Sequence, residues 1–141
     1  MLERSKFAIS LLVLVLVLLA GAASQADAQN MVGDFSPSSN PTGNWSYGFT
    51  STLGGTFNLF TTSSTVYGGL SCDGTVNTWS PSLSGVPVVG HNPSGMTVTC
   101  STVRVPNDVL AMHPDTSGAE AVVRWTAPGS GTYATSTGYL W

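Results

Sequence analysis

The sequence predicts an all-β protein, namely an antiparallel β-sandwich of the jelly-roll type that follows an N-terminal signal helix. Three observations support this fold class. Apolar and polar residues alternate in short runs, glycine and proline interrupt these runs before a helical period can build, and charged residues make up only 8% of the chain. Valine and aromatic residues in the runs favour strands, whereas the Gly, Ser, Thr, Asn and Pro between them favour turns. Short strands spaced in this way are typical of sandwiches and jelly rolls.

The first 28 residues have the pattern of an export signal. A positive start, an apolar core and a small-x-small cleavage motif follow one another at Arg4 and Lys6, at 7–23 and at 26–28. Signal peptidase would cut between Ala28 and Gln29, which leaves residues 29–141 as a single β domain. An uncleaved membrane anchor is the alternative, because the apolar run is nearly as long as a membrane-spanning helix.

Strands are predicted in order along residues 29–141. In the first strand, Trp45, Tyr47 and Phe49 face the core, and the residues between them face the solvent. A loop at 34–44 precedes this strand, and further strands or short strand segments are predicted at 57–62, 76–79, 86–89, 96–101, 109–113 and 121–126. Residues 63–69 are predicted to form a loop or a short edge strand. The Ala-Pro-Gly-Ser-Gly sequence at 127–131 predicts a hairpin that returns the chain through 132–134.

Cys72 and Cys100 are the only cysteines of the chain. An even cysteine count in an oxidising compartment favours one disulfide. By lowering the entropy of the unfolded chain, this disulfide would stabilise the folded domain by roughly 3 to 4 kcal/mol. Met96, Val98 and Cys100 share the apolar face of their predicted strand, so we expect the bridge to be buried. A zinc site or a reactive thiol is the alternative, although neither cysteine lies in a Cys-x-x-Cys pair.

Charge and motif content exclude several classes of function. Residues 29–141 contain five acidic residues, two arginines (Arg104 and Arg124) and no lysine. The sequence therefore predicts no basic patch that could bind nucleic acid. The chain has no Gly-x-Ser-x-Gly elbow, no phosphate-binding glycine loop and no His-Glu-x-x-His motif. We therefore expect a non-enzymatic protein that uses no cofactor.

Aromatic and histidine side chains offer two candidate sites. Trp79 lies beside Ser-Pro in a turn-rich segment, so it is either a core residue or, with Tyr67, part of a surface platform for a sugar ring. Trp45 and Trp125 alternate with polar neighbours and are predicted to be core residues instead. His113 and Asp115 flank a proline and have the chemistry of metal ligands, with His91 as a third ligand if the turns converge. Because only two candidate ligands lie together in sequence, we expect no metal site.

Four segments resemble bacterial exported proteins of the PEP-CTERM type: Asn-Trp-Ser-Tyr-Gly at 44–48, Val-Leu-Ala-Met-His-Pro at 109–114, Val-Val-Arg-Trp-Thr-Ala-Pro at 122–128 and Gly-Thr-Tyr at 131–133. The resemblance covers roughly residues 35–133. It implies a signal peptide, a jelly-roll-like β domain and a C-terminal sorting tail. The sequence departs from this pattern at Trp141, where it ends without the tail, so a domain that is incomplete at its C-terminus is one expectation.

Together these observations predict an exported, non-enzymatic β-sandwich protein of the cell surface or extracellular matrix. Its location would be secreted or in the cell envelope, and its expected partners are extracellular polysaccharide or other surface proteins. The membrane would be contacted only through the N-terminal segment, if that segment is not cut. Two alternatives stay open: a carbohydrate-binding module, and a nonfunctional fragment of a longer exported protein.

Overall fold

The computed structural model describes residues 28–83 and 85–135, and this part of the chain contains strands and turns but no helix. Its nine strands are β1 (Trp45–Thr50), β2 (Asn58–Leu59), β3 (Thr62–Ser64), β4 (Asn77–Ser80), β5 (Val88–His91), β6 (Val98–Cys100), β7 (Val103–Val105), β8 (Leu110–His113) and β9 (Glu120–Trp125). They form a three-stranded sheet in the order β2-β1-β9, a four-stranded sheet in the order β3-β4-β5-β8 and the β6–β7 hairpin. All strand pairs are antiparallel. The predicted all-β class is therefore confirmed for the described residues.

Strand β1 is the centre of the three-stranded sheet and is buried on both faces. It pairs with β9 from Trp45 opposite Trp125 to Thr50 opposite Glu120. A side chain at Gly48 would clash with the Asn58 carbonyl and the Phe57 ring, so β2 approaches β1 too closely for any residue but glycine. The prediction of a solvent-facing side for β1 is wrong, since Ser46, Gly48 and Thr50 are all buried.

Strand β5 is the centre of the molecule, because its two faces belong to two different hydrophobic cores. Val89 lies in the core between the two large sheets, which we call the sheet-to-sheet core: Phe35, Tyr47, Phe60, Trp79 and Val89. Val88 lies in the core beneath the β6–β7 hairpin, which we call the hairpin core: Tyr67, Val76, Val88, Val98, Cys100 and Val105. Both valines are fully buried. Adjacent apolar residues in a strand are typical of a strand that is covered on both sides.

The β6–β7 hairpin is held to the preceding loop by hydrogen bonds and by the Cys72–Cys100 disulfide. Ser101, at the tight turn of the hairpin, has a φ of 56°. The Ser101 amide donates to the Ser71 carbonyl at 3.0 Å, and the Asp73 amide donates to the Thr99 carbonyl at 3.0 Å. Strand β7 was not predicted, because its turn carries Ser-Thr instead of the Asn-Gly or Asp-Gly that signals a two-residue hairpin.

Two predicted strands differ in the structure. The segment predicted at 57–62 splits into β2 and β3, because Phe60 turns into the core and its amide donates to the Tyr47 carbonyl at 3.0 Å. The return strand at 132–134 does not form. Instead, the Tyr133 ring packs edge-on against Trp125 with the ring centroids 4.8 Å apart. Met96 also differs from the prediction, since it is 70% exposed while Val98 and Cys100 are buried.

Replacement of Gly90 tests the double burial of β5. A Cβ at this position would lie 2.8 Å from the Tyr67 ring and 2.9 Å from Val76, and both neighbours belong to the hairpin core. Gly90→Ala is therefore expected to lower the free energy of unfolding by about 1–3 kcal/mol in a urea titration. The matched control is Gly129→Ala, where a Cβ would meet nothing within 4 Å, so its effect should stay within about 0.5 kcal/mol. Equal effects of the two variants would contradict the packing described for β5.

Candidate functional site

The two aromatic residues predicted to bind sugar are not on the surface. Trp79 is only 6% exposed and lies in the sheet-to-sheet core, while Tyr67 is 2% exposed and lies in the hairpin core. The Trp79 indole N–H donates to the Ser36 carbonyl at 2.8 Å, so the residues before β1 cover this ring. The surface-platform alternative is therefore wrong, because both rings are buried and they lie in different cores.

An open cleft of about 330 Å³ lies instead at the end of the three-stranded sheet where β1 begins. We call it the Trp45 cleft, and it is lined by Gln29, Asp34, Thr42, Gly43, Asn44 and Trp45. Within the described residues, these six are the ones that enclose it. They come from two short segments, one at the start of the described chain and one at the turn into β1. Each segment is shaped by its own local hydrogen bonds.

The first wall of the Trp45 cleft is a single turn of chain that ends at Asp34. The Asp34 amide donates to the Asn30 carbonyl at 2.7 Å, which closes the turn. The Asn30 side-chain oxygen accepts from the amides of Val32 and Gly33 at 3.1 and 3.2 Å. An asparagine side chain that satisfies nearby amides in this way stabilises a turn. Phe35 follows directly and anchors the turn, since it is buried in the sheet-to-sheet core.

The second wall is the tight turn that leads into β1. The Thr42 amide donates to the Trp45 carbonyl and the Trp45 amide donates to the Thr42 carbonyl, both at 2.9 Å. Gly43 lies between them with a φ of 52°, a conformation that glycine adopts without steric cost. The Asn44 carbonyl accepts from the Thr126 amide at 2.8 Å, which ties the turn to the residue after β9.

Asp34 joins the two walls and is the charged group of the Trp45 cleft. Its Oδ2 accepts from the Trp45 indole N–H at 3.1 Å and from the Asn30 amide at 2.9 Å. Its Oδ1 accepts no hydrogen bond from the described residues, and the Asp34 side chain belongs to an exposed residue. The Asn44 side-chain amide donates to the Gln29 Oε1 at 3.1 Å. The cleft therefore presents a half-buried indole beside a carboxylate, side-chain amides and a hydroxyl.

Two buried polar atoms belong to the same end of the three-stranded sheet. The Tyr47 hydroxyl and the Trp125 indole N–H are buried, and neither has a hydrogen-bond partner among the described residues. Burial, and secondly the negative charge of Asp34, raise the pKa of Tyr47 to about 12. Burial alone raises the pKa of Tyr67 to about 12. The packing thus extends the pH range in which both phenols stay neutral to well above pH 10.

Both cysteines are used in the Cys72–Cys100 disulfide, which confirms the predicted pairing. Cys100 is fully buried in the hairpin core, in agreement with the expected buried bridge. A bonded pair leaves no thiolate for zinc binding or for nucleophilic chemistry. A formed disulfide is typical of oxidising compartments.

The two histidines considered as metal ligands lie apart. His113 and His91 occupy opposite ends of the β5–β8 pairing, where His113 faces Val88 and His91 faces Leu110. The His91 Nε2 lies 3.3 Å from the Asp108 carboxylate. Asp115 accepts a hydrogen bond from the Ser117 hydroxyl at 2.7 Å, and this bond is the main cause that lowers the pKa of Asp115.

No group of three or more His, Cys, Asp or Glu side chains within residues 28–83 and 85–135 is arranged to hold a metal ion. The same residues contain no helix that is long and apolar enough to cross a membrane. The predicted signal segment lies outside the described residues except for Ala28, which begins them.

Comparison of the chain with protein-family models, with curated proteins and with solved structures finds no significant match in any of the three. A function for this protein is therefore inferred from its own residues.

Sequence reasoning missed the Trp45 cleft because it assigned Trp45 wholly to the core. The alternation in β1 does direct Trp45 towards the sheet-to-sheet core, where it packs against the buried cluster. Its position at the first residue of the strand leaves part of the ring at the edge. The Thr-Gly-Asn-Trp sequence at 42–45 is the local signal that could have shown it, since Gly-Asn marks a tight turn that ends at the tryptophan.

Replacement of the buried phenol tests the environment of Tyr47. Tyr47→Phe removes a buried hydroxyl without a described partner, so the free energy of unfolding at pH 7 should stay unchanged or rise by up to about 1 kcal/mol. Because the folded pKa of Tyr47 is raised, its neutral form contributes stability that is complete below pH 10 and is lost as the pH rises towards 12. The variant should therefore lose less stability than the wild type between urea titrations at pH 9 and pH 11.

Tyr67→Phe is the matched comparison, since it removes a second phenol with a pKa of about 12 without touching the Asp34 environment. It should also reduce the alkaline loss of stability. A decrease above about 1 kcal/mol for Tyr47→Phe at pH 7 would show that the hydroxyl is satisfied and would contradict its described environment.

Proposed function

We propose that this chain is an exported, non-enzymatic β-domain protein of the cell surface or extracellular matrix. The Cys72–Cys100 disulfide is the observation that carries the proposal. Such bonds form and persist in secreted and periplasmic proteins and are rare in reducing compartments. The export pattern in the first 28 residues gives the same location by a separate route, since it rests on the sequence alone.

Gln29 and Asn30, the first two residues after the proposed cleavage site, are hydrogen-bonded within the domain. Asn44 donates to the Gln29 side chain, and Asn30 donates through its amide to Asp34. A mature chain that starts at Gln29 keeps both hydrogen bonds.

We further propose that the domain is a jelly-roll-type sandwich related to the PEP-CTERM group. Its support is the packing of the three-stranded sheet on the four-stranded sheet across the sheet-to-sheet core. Three of the four segments that carry the resemblance overlap strands β1, β8 and β9, and β1 pairs with β9 along its whole length. The resemblance gives no activity, so this relationship concerns fold and export only.

Carbohydrate binding is the second candidate function, and one observation favours it. The Trp45 cleft places part of an indole ring beside a carboxylate and side-chain amides at an open edge of the fold. Aromatic rings combined with a few oriented polar groups are typical of small-molecule sites. The remaining hypothesis is that the chain is a nonfunctional fragment of a longer exported protein. It predicts that the chain unfolds without a cooperative transition.

Export and oxidation are tested by intact mass. The full chain is expressed in a bacterial host with export machinery, the envelope and medium fractions are collected, and the protein is alkylated with and without reductant. We expect a mass that starts at Gln29, two alkylated thiols only after reduction, and one cooperative thermal transition. Retention of residues 1–28 would indicate a membrane anchor. Free thiols without a cooperative transition would favour the fragment reading and overturn the proposal.

The contribution of the disulfide to stability is tested by its removal. The double variant Cys72→Ser, Cys100→Ser should have a free energy of unfolding lower by roughly 3 to 4 kcal/mol, because the unfolded chain regains the entropy of the closed loop. The wild type in reductant serves as the control and should match the double variant in the same urea titration. A loss below about 1 kcal/mol in both samples would argue against a stabilising role.

A further inference from the structure

We infer that the Trp45 cleft binds a neutral saccharide, with the indole as the apolar contact and Asp34 and Asn44 as the groups that bind its hydroxyls. The inference rests on the proposed extracellular setting, where polysaccharide is available as a ligand. It assigns the binding to residues other than Trp79 and Tyr67, which are buried.

The polar atoms of the cleft match the needs of sugar hydroxyls. Asp34 uses only Oδ2 to hold the two walls together, so Oδ1 remains an acceptor for a ligand O–H group. The Asn44 side chain uses its N–H₂ group towards Gln29, and no hydrogen bond within the described residues uses its Oδ1. A hydrogen bond to a charged acceptor is stronger than one between neutral groups. Asp34 is therefore expected to contribute more to affinity than Asn44.

The apolar contact is already fixed before a ligand arrives. The Trp45 indole N–H is held by Asp34 at 3.1 Å, and the Trp45 backbone is held by two hydrogen bonds to Thr42. The inner part of the ring packs against the sheet-to-sheet core. Binding would thus order no flexible tryptophan, which removes one of the usual entropic costs of association. The ring is half-buried, so its accessible part contacts one sugar unit at most.

The charge of the cleft fits a neutral glycan. Of the six lining residues, only Asp34 has a charged side chain, and cleavage before Gln29 places an α-amino group at a second lining residue. The carboxylate and the ammonium group balance each other, so the cleft offers an acidic polymer no net attraction, and a uronate or sulfate group beside Asp34 meets a like charge. The expected ligand class is therefore a neutral hexose or pentose polymer.

The test measures retardation of the exported, oxidised protein in native gels that contain one soluble polysaccharide each. The neutral probes are a β-glucan, a mannan, a xylan and a galactan, and the acidic probe is polygalacturonate. We expect retardation by at least one neutral polymer and none by polygalacturonate. The same neutral polymer should shift the indole N–H resonance of Trp45, which is assigned from its loss in Trp45→Phe.

Three variants locate the binding. Asp34→Ala should weaken the affinity roughly tenfold or more, since it removes a charged acceptor. Asn44→Ala should weaken it about fivefold, since it removes a neutral hydrogen bond. The matched control Glu120→Gln changes an exposed carboxyl group at the opposite end of β1 and should leave the affinity unchanged. Thermal melts of each variant separate lost binding from lost folding.

Three results would overturn the inference. The first is that no neutral polysaccharide retards the protein, and the second is that the acidic polymer retards it most. The third is that Trp79→Phe reduces the affinity as much as Asp34→Ala does, while both variants remain folded. These results leave the proposed export untouched, because the mass of the exported protein tests that separately. Conversely, a protein found reduced inside the cell would refute the proposed location, whereas the purified, oxidised form would still report on the cleft.

Discussion

Burial of β5 on both faces is the constraint on which the other parts of the fold depend. Val88 and Val89 are adjacent in sequence and fully buried in different cores, so two separate layers have to cover this strand. The three-stranded sheet covers one face, and the β6–β7 hairpin with the loop before β4 covers the other. Gly90 allows the Tyr67 ring to approach the backbone on the hairpin side. The disulfide then joins the hairpin to that loop and closes the second layer.

Much of the fold could be predicted because its signals are local. Alternation at 45–50 and 121–126 indicated β1 and β9, and the proline after His113 marked the end of β8. The disulfide could be predicted because the chain has two cysteines and an export pattern that directs it to an oxidising compartment. By contrast, burial of Trp79 depends on a hydrogen bond to Ser36, which lies 43 residues earlier, and no local pattern contains such a contact. The segments around Tyr67 and Trp79 look like surface turns in the sequence, although the fold places both rings inside.

The Trp45 cleft could not be predicted either, although the two turns that form it have local sequence signals. The turn at 42–45 has a recognisable sequence, and an asparagine that closes the turn at 30–34 is also a local feature. Their meeting depends on Phe35 and Asn40. Phe35 inserts into the sheet-to-sheet core, and Asn40 donates to the carbonyls of Tyr47 and Phe60 at 2.8 Å each. These longer-range contacts bring Asp34 to the Trp45 indole, and they are decided by the packing of the whole domain.

The pairing of β1 with β9 also determines how the domain bears mechanical load. The chain enters β1 at Trp45 and leaves β9 at Trp125, and these two residues face each other at one end of the three-stranded sheet. A force that pulls the two flanking segments apart acts, once the contacts of residues 30–44 have broken, on this first pair and then on each following pair in turn. The hydrogen bonds between β1 and β9 therefore break one pair after another, and the two strands are not loaded in shear along their whole length. Between Cys72 and Cys100, the covalent link keeps the intervening chain from extending even after the strands have separated.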